Sequence, residues 1–527
     1  MEFKLDLPDQ FNAADYFVDR NIREGRADKI AVLCEDRQTT YGEIQKGMNR
    51  VGNGLKSLDV RMEERVALLL LDTEVYPQAF FGAVKIGAVP ICLNTLMRPK
   101  DYLYFLNDSR ARVLLVDQSL LPVIYEIRSQ TLFLEHVVVV GCESSVPEIP
   151  FDDWISSHSD ELDAAPTTPC DSCFWLYSSG STGLPKGTVH LQHDIVYAAE
   201  TYGRQVLGIK EDDVCFSAAK LFFAYGLGNG LYFPFSAGAT SVYHPGRPTP
   251  DAMYAAIARH QPTIFYGVPT LFGSMLTADG DLGRVRVCVS AGEALPPEIL
   301  KRWQTRFDVG IMDGIGSTEI SHIFISNRVD DMRPGSTGKL VPGYAARIVD
   351  DDFNDVPDGE IGTLLIRGDS TAACYWNKHE KSKSTMIGEW INTDDKFFRD
   401  EDGYFFYVGR SNDMLKVGGI WVSPIEVEAC IMEHPKVLEC AVVGAPDAEN
   451  LIKPKAYVVL QNGHAPDNAL AREIKDYVKK ALAHYKYPRW VEFVDELPKT
   501  ATGKIKRFML KEENGQKATA RSNANID

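Results

Sequence analysis

Between residues 30 and 340, short apolar runs alternate with stretches of helical periodicity. The runs are RVALLLL at 65–71, RVLLVD at 112–117, HVVVVG at 136–141, TIFYGVP at 263–269 and RVRVCVS at 284–290. Such alternation predicts parallel sheets covered by helices, because a parallel crossover is usually made through a helix. It also indicates where chemistry belongs, since ligands of open α/β sheets gather beyond the carboxyl ends of strands. Three loops leave strand-like runs in this way: CFWLY leads into SSGSTGLPKG, RVRVCVS into AGEALP, and DVGIMDG into IGSTE. They are expected to share one crevice.

A chain of 527 residues exceeds what one hydrophobic core supports, so at least two domains are expected. After about residue 340 the texture shifts to turn-rich segments such as VDDDFNDVPDGEIG and RDEDGYFFYVGR, which read as antiparallel hairpins. From Lys479 to Lys511 nine Lys or Arg face three Asp or Glu, although the whole chain carries a net charge of −17. This implies a small C-terminal domain with local positive charge, and the last residues, NGQKATARSNANID, read as disordered.

The acidic balance argues against a nucleic-acid partner, so any phosphate-bearing ligand has to be caught locally. No apolar run reaches the roughly 18 residues of a membrane span, and the N-terminus lacks a signal-peptide pattern. A cytoplasmic protein is expected, as a monomer or homodimer and without a membrane partner. The ten Cys are expected as buried reduced thiols rather than a disulfide framework or a zinc site.

In YSSGSTGLPKG, residues 177–187, small residues let backbone N–H groups converge on phosphate oxygens, hydroxyls add donors, and Lys186 supplies a mobile charge. A flexible linker is the alternative, but linkers lie in polar surroundings and this loop follows an apolar run. A P-loop needs G-x-x-x-x-G-K-[ST]; four residues after Gly180 comes Pro185, and Gly187 follows Lys186, so that spacing fails.

The ordered set YSSGSTGLPKG at 177, SAGEALP at 290, DGIGSTE at 313, TDDKFFRDEDGYFFYVGR at 393, SNDMLKVGG at 411 and LPKTATGKIKR at 497 resembles the adenylate-forming enzymes. That family includes acyl- and aryl-CoA synthetases, peptide-synthetase adenylation domains and luciferases. The resemblance covers nearly the whole chain. It implies an N-terminal domain over 1–410, built of parallel-rich α/β sheets flanked by helices plus a β-barrel-like subdomain. A mobile α+β C-terminal domain over 411–515 and a tail over 516–527 complete the expected fold. The implied chemistry joins a carboxylate to ATP, giving an acyl-adenylate and pyrophosphate, and then transfers the acyl group to a thiol with release of AMP.

The resemblance also implies roles for particular residues. Ser178, Ser179, Gly180, Ser181, Thr182, Gly183 and Lys186 would grip the β- and γ-phosphates. Thr318 would hold the α-phosphate, and Glu319 would hold Mg²⁺ as a hard oxygen donor. Gly292, Glu293 and Ala294 would line adenine, with Asp313, Gly314, Ile315 and Gly316 near its edge. Asp395 and Arg410 would hold the ribose diol; Asp394 stands where the family has Gly, which leaves the choice between the two aspartates open. Asp413 would be the hinge, Lys416, Gly418 and Gly419 would border the pantetheine arm of CoA, and Lys504 would be the catalytic lysine.

The acid's pocket is expected in FSAAKLFFAYGLGNGL, residues 216–231, and after Glu319. Amino-acid activators place an Asp in the first segment; LFFAY has no carboxylate, and an ammonium buried without one is costly. Phe223, Ala224, Tyr225, Gly316, His322 and Ile323 are the expected lining, with at least one of Phe222 and Phe223 belonging to the core. The segments resemble benzoate-CoA ligases, a subgroup that includes ligases for 4-hydroxybenzoate and 2-aminobenzoate, and the sequence leaves the ring substituent open. A fatty acyl-CoA synthetase and a carrier-protein-dependent adenylation enzyme are the less favoured readings.

Overall fold

The computed structural model describes residues 3–142, 147–178, 184–410, 413–417, 420–447, 451–499 and 505–511. The helix Tyr41–Ser57 shows how local sequence sets the elements. Thr40 caps it by accepting from Glu43 N, while the Glu43 carboxylate accepts from Thr40 N at 2.7 Å, so two otherwise unpaired donors are satisfied together. This helix packs closely on Val75–Lys85, where a Cβ on Gly82 would lie 2.9 Å from the Met48 carbonyl oxygen.

Two large sheets enclose this helical layer. In the eight-stranded sheet the parallel order is Ile149–Pro150, His136–Val140, Val113–Asp117, Arg65–Leu69, Val89–Cys92 and Ser172–Ser178; Lys186–Leu191 and Cys374–Tyr375 continue it antiparallel. The nine-stranded sheet runs Arg37–Thr40, Ile30–Cys34, Thr240–Tyr243, Val214–Ser217, Ile264–Gly267, Val287–Ser290, Ile311–Gly316, Ile323–Ser326 and Lys339–Leu340. Its pairs are parallel from Ile30–Cys34 to Ile311–Gly316 and antiparallel at both ends. One apolar core reaches both sheets, joining Leu68 and Leu115 of the first to Val32 and Val289 of the second.

Each of the five apolar runs holds a strand, as read from the sequence, and each strand is shorter than its run. RVRVCVS contributes only Val287–Ser290, because Val285 first closes a turn onto the Leu282 carbonyl. A five-stranded antiparallel sheet follows, built from Ala345–Val349, Gly362–Arg367, Trp390–Arg399, Met386–Ile387 and Phe405–Arg410, in the position expected of the barrel-like subdomain. Beyond it, helices Pro424–Met432 and Asn468–Ala481 pack on Val437–Pro446, Ile452–Leu460 and Trp490–Phe493 around a separate core. All ten Cys are free, but the expectation that they are buried fails at half-buried Cys142 and Cys374 and at Cys170, which is exposed and stands in a C-x-x-C spacing with buried Cys173. Among the described residues no His, Cys, Asp and Glu cluster of metal-binding composition forms.

Gly338 joins the nine-stranded sheet to the strand that ends at Arg410, its carbonyl accepting from Phe405 N at 2.8 Å. Its φ is +94°, and a Cβ there would lie 2.0 Å from the Ser326 carbonyl carbon. Gly338→Ala is expected to cost about 3 kcal/mol or more through backbone strain and overlap. Thermal unfolding checks this, and an unchanged Tm contradicts it.

Candidate active site

The strands that flank the three loops belong to two sheets. The loop of residues 179–183 hangs from Ser172–Ser178 and Lys186–Leu191 of the eight-stranded sheet, where Ser178 and Lys186 are Cα partners. The other two leave Val287–Ser290 and Ile311–Gly316 of the nine-stranded sheet, where Ser290 pairs with Asp313. A hydrogen bond joins the sheets at this point, from His190 Nε2 to the Thr318 carbonyl oxygen at 2.7 Å.

Thr318 and Glu319 open a single 3-10 turn, Thr318–Ile320. The Tyr375 hydroxyl donates to Glu319 Oε1 at 2.8 Å, and Lys186 Nζ stands 4.6 Å from the centroid of the same ring. Tyr375 thus ties the cation after the loop to the carboxylate of the turn. Burial lowers the Lys186 pKa, an effect that Glu319 opposes. Sequence reading missed Tyr375: it lies on the two-residue strand Cys374–Tyr375 and reaches the site only because it pairs with Thr188.

The adenine strip and its edge adjoin, as expected of neighbouring parallel strands. Gly292 is exposed at φ +90°, Glu293 and Ala294 are half-buried, and Asp313 is buried beside them. Burial holds the Asp313 carboxyl well above the usual range, opposed by hydrogen bonds from the backbone of Leu295 and Gly314. Its Oδ1 has no hydrogen-bond partner among the described residues, which suits an acceptor for an exocyclic amine. Gly314, Ile315 and Gly316 pair with the returning strand Ile323–Ser326.

Asp395 and Arg410 face each other across a hairpin, with Arg410 Nε 2.9 Å from Asp395 Oδ1. Asp395 raises the pKa of the guanidinium. Of the two aspartates, Asp394 sits at φ +58° with its carboxylate 3.7 Å from Lys381, whereas Asp395 is buried and pairs with Arg410. A carboxylate and a guanidinium side by side match a vicinal diol.

At the end of the crevice, His322 is buried among the rings of Tyr202, Tyr225, Tyr232 and Phe233, with centroids 4.5–6.4 Å away. Burial pushes its pKa down to about 3, so the ring is neutral at physiological pH. Nε2 lies 3.1 Å from the Tyr225 carbonyl oxygen and donates to it, which leaves Nδ1 as a buried lone pair without a partner among the described residues. The Tyr225 hydroxyl is fixed on the Gly267 and Val289 carbonyls at 3.2 and 2.9 Å. Phe223 and Ala224 lie half-buried beside Tyr225, Ile323 is buried, and Phe222 belongs to the core. A Cβ on Gly316 would meet the His322 carbonyl oxygen at 2.6 Å, so this floor accepts only glycine.

The C-terminal unit closes over the crevice. Ile505 N donates to Glu293 Oε1 at 3.2 Å, which brings the chain next to position 504 to the adenine strip. Arg507 is anchored on buried Glu428 at 2.7 Å, and Asp413 pairs with Lys511 at 2.7 Å. Lys416 lies on the strand Leu415–Val417. Ser179, Gly180, Ser181, Thr182, Gly183, Gly418, Gly419 and Lys504 lie outside the described residues.

With this geometry in place, comparison with known proteins gives matching families and relatives. Residues 18–376 match the AMP-binding enzyme family, and residues 426–504 match the AMP-binding enzyme C-terminal domain. A benzoate-CoA ligase of Thauera aromatica is 51% identical over 516 residues, covering 96% of this chain and 97% of that protein. A 4-hydroxybenzoate-CoA/benzoate-CoA ligase of Rhodopseudomonas palustris is 45% identical, covering 95% and 94%. A solved anthranilate CoA ligase in complex with anthranoyl-AMP superposes with a TM-score of 0.94 at 47% identity, over 98% of this chain and 99% of that one.

A Cβ on Gly228 would lie 2.4 Å from His322 Cδ2 and 2.9 Å from the Tyr232 hydroxyl. Gly228→Ala is therefore expected to displace His322 and raise the KM for the aromatic acid by about 10-fold or more, while ATP binding stays unchanged. Steady-state kinetics with an ATP-binding titration check it; equal loss of both contradicts the assignment of this pocket to the acid.

Proposed function

Because the chain belongs to the AMP-binding enzyme family, we propose that it is an ATP-dependent aryl-CoA ligase of the benzoate-CoA ligase type. It converts benzoate, ATP and CoA into benzoyl-CoA, AMP and pyrophosphate through a benzoyl-adenylate. The observation that carries this reading is the cluster of rings around neutral His322, one turn from Thr318 and Glu319. The LFFAY segment beside it has no carboxylate for an amino-acid ammonium, and the similarity to a benzoate-CoA ligase over nearly the whole chain supports the reading.

In the first step a benzoate oxygen attacks the α-phosphorus, and the bond from phosphorus to the bridging oxygen breaks as pyrophosphate leaves. The barrier is electrostatic, since two anions approach and charge builds on the α-phosphate. Lys186, with Ser178 and residues 179–183, holds the β- and γ-phosphates, Thr318 the α-phosphate, and Asp395 and Arg410 the ribose. Gly292 to Ala294 and Asp313 to Gly316 position adenine. Lys504 reaches the α-phosphate and the attacking carboxylate. Glu319 supplies the protein oxygen for Mg²⁺; no larger acidic cluster forms among the described residues, which suits an ion carried mainly by phosphates and water. When bound, Mg²⁺ neutralises charge on the phosphate oxygens.

In the second step the CoA sulfur attacks the acyl carbon and AMP leaves. Residues 411–515 act as the mobile domain for this step, turning at Asp413 so that Lys416, Gly418 and Gly419 border the thiol. Among the described residues no helix is long and apolar enough to cross a membrane; action in the cytoplasm, as a monomer or homodimer, belongs to the proposal.

One observation favours a second reading. The buried Nδ1 lone pair of His322 suits a ring bearing a donor, as in 4-hydroxybenzoate or 2-aminobenzoate. A panel of benzoate, both substituted benzoates, a medium-chain fatty acid and phenylalanine, read by pyrophosphate release, tests both. One of the benzoates is expected to exceed the fatty acid and phenylalanine in kcat/KM by about 100-fold or more. A fatty acid or amino acid at the top of the panel overturns the proposal.

A further inference from the structure

Behind the Thr318–Ile320 turn lies a buried polar network that none of the roles above uses, and it converges on His190. This residue is fully buried on Lys186–Leu191, its ring stacked on Phe174 at 4.9 Å. Nδ1 lies 2.7 Å from Asp194 Oδ2 and 3.0 Å from Ser321 Oγ, and Nε2 lies 2.7 Å from the Thr318 carbonyl oxygen. A carbonyl oxygen only accepts, so Nε2 donates to Thr318, while Nδ1 faces the Asp194 carboxyl and the Ser321 hydroxyl. Asp194 is itself fixed by the Leu191 N–H at 3.1 Å and lies 3.3 Å from His193 Nε2.

The same turn is gripped from a third element. Ser321 Oγ donates to the Ser370 carbonyl oxygen at 3.0 Å, Ser370 Oγ donates to the Ile320 carbonyl oxygen at 3.0 Å, and the Tyr344 hydroxyl donates to Ser370 Oγ at 2.7 Å. Ser321 sits at φ +66°, a conformation that costs about 1–3 kcal/mol for a side-chain-bearing residue and persists only where its surroundings hold it. A strained turn that carries the α-phosphate and Mg²⁺ residues is thus clamped at the Thr318 carbonyl, the Ile320 carbonyl and the Ser321 hydroxyl.

We propose that His190, held by Asp194, is a positioning residue for adenylation. It holds the Thr318–Ser321 turn so that the Thr318 hydroxyl and the Glu319 carboxylate face the nucleotide. This rests on the adenylating role assigned to the turn. The Mg²⁺-dependent first step needs that geometry, whereas thioester formation follows departure of pyrophosphate and needs it less.

His190→Gln and Asp194→Asn test the proposal by single-turnover kinetics. Adenylation, with whichever acid the wild type prefers, is expected to slow by about 100-fold, a rate loss typical of ångström-scale misplacement. The Mg²⁺ concentration for half-maximal rate should rise, while CoA acylation from supplied acyl-adenylate stays close to wild type. Equal loss in both steps, or no loss in either, overturns the positioning role. Nitrogen-15 NMR of the wild-type protein labelled at histidine, with the signal assigned by its loss in His190→Gln, provides a second test. A proton on His190 Nε2 is expected, and a ring that carries none there overturns the bond to the Thr318 carbonyl. A wild type that adenylates no acid would instead defeat the functional reading, leaving the NMR result to judge His190.

Discussion

Two anions have to be brought to bonding distance inside a protein of net charge −17. The global field opposes both, so the site depends on cations placed at short range. The structure collects them from separate elements. Lys186 comes from the strand after the loop, and Arg410 from the end of a hairpin in the antiparallel sheet. The chain beside position 504 arrives from the C-terminal unit through the contact of Ile505 with Glu293. Two of them are tethered by an acid or a ring, Arg410 by Asp395 and Lys186 by Tyr375, so their direction is set before a ligand enters.

The same economy governs the two sheets. Each presents strand ends to the crevice, and what fixes one against the other there is polar and buried: His190 on the Thr318 carbonyl, and Tyr375 on Glu319. Apolar packing places the sheets but specifies no hydrogen-bond geometry. Buried polar links supply that geometry, at the cost of sensitivity to losing any member. Glycines do the complementary work where backbone and ring come too close for a side chain, at Gly228 and Gly316 against His322.

Much of this was legible from residue types and order. The parallel strands followed from apolar runs, the expected crevice from the loops that leave them, and the ribose pair from the family resemblance. The structure pairs Asp395 with Arg410 and puts Asp394 at positive φ. What was not legible depends on partners distant in sequence. Tyr375 and Glu319 are 56 residues apart, and His190 and Thr318 128 apart, so no local pattern marks either pair. That the three loops leave two sheets, rather than one, was hidden for the same reason: strand order across sheets is set by packing, which periodicity does not encode.

The central claim is that one crevice runs two reactions by exchanging the face that the C-terminal unit presents. Single-turnover kinetics of each half-reaction in Lys504→Ala test it most directly. The account predicts that formation of the acyl-adenylate falls by orders of magnitude while acylation of CoA from supplied acyl-adenylate is nearly untouched, because Lys504 faces the nucleotide only in the first step. Equal slowing of both steps would contradict it, since a lysine serving both reactions leaves no need for an exchange of faces.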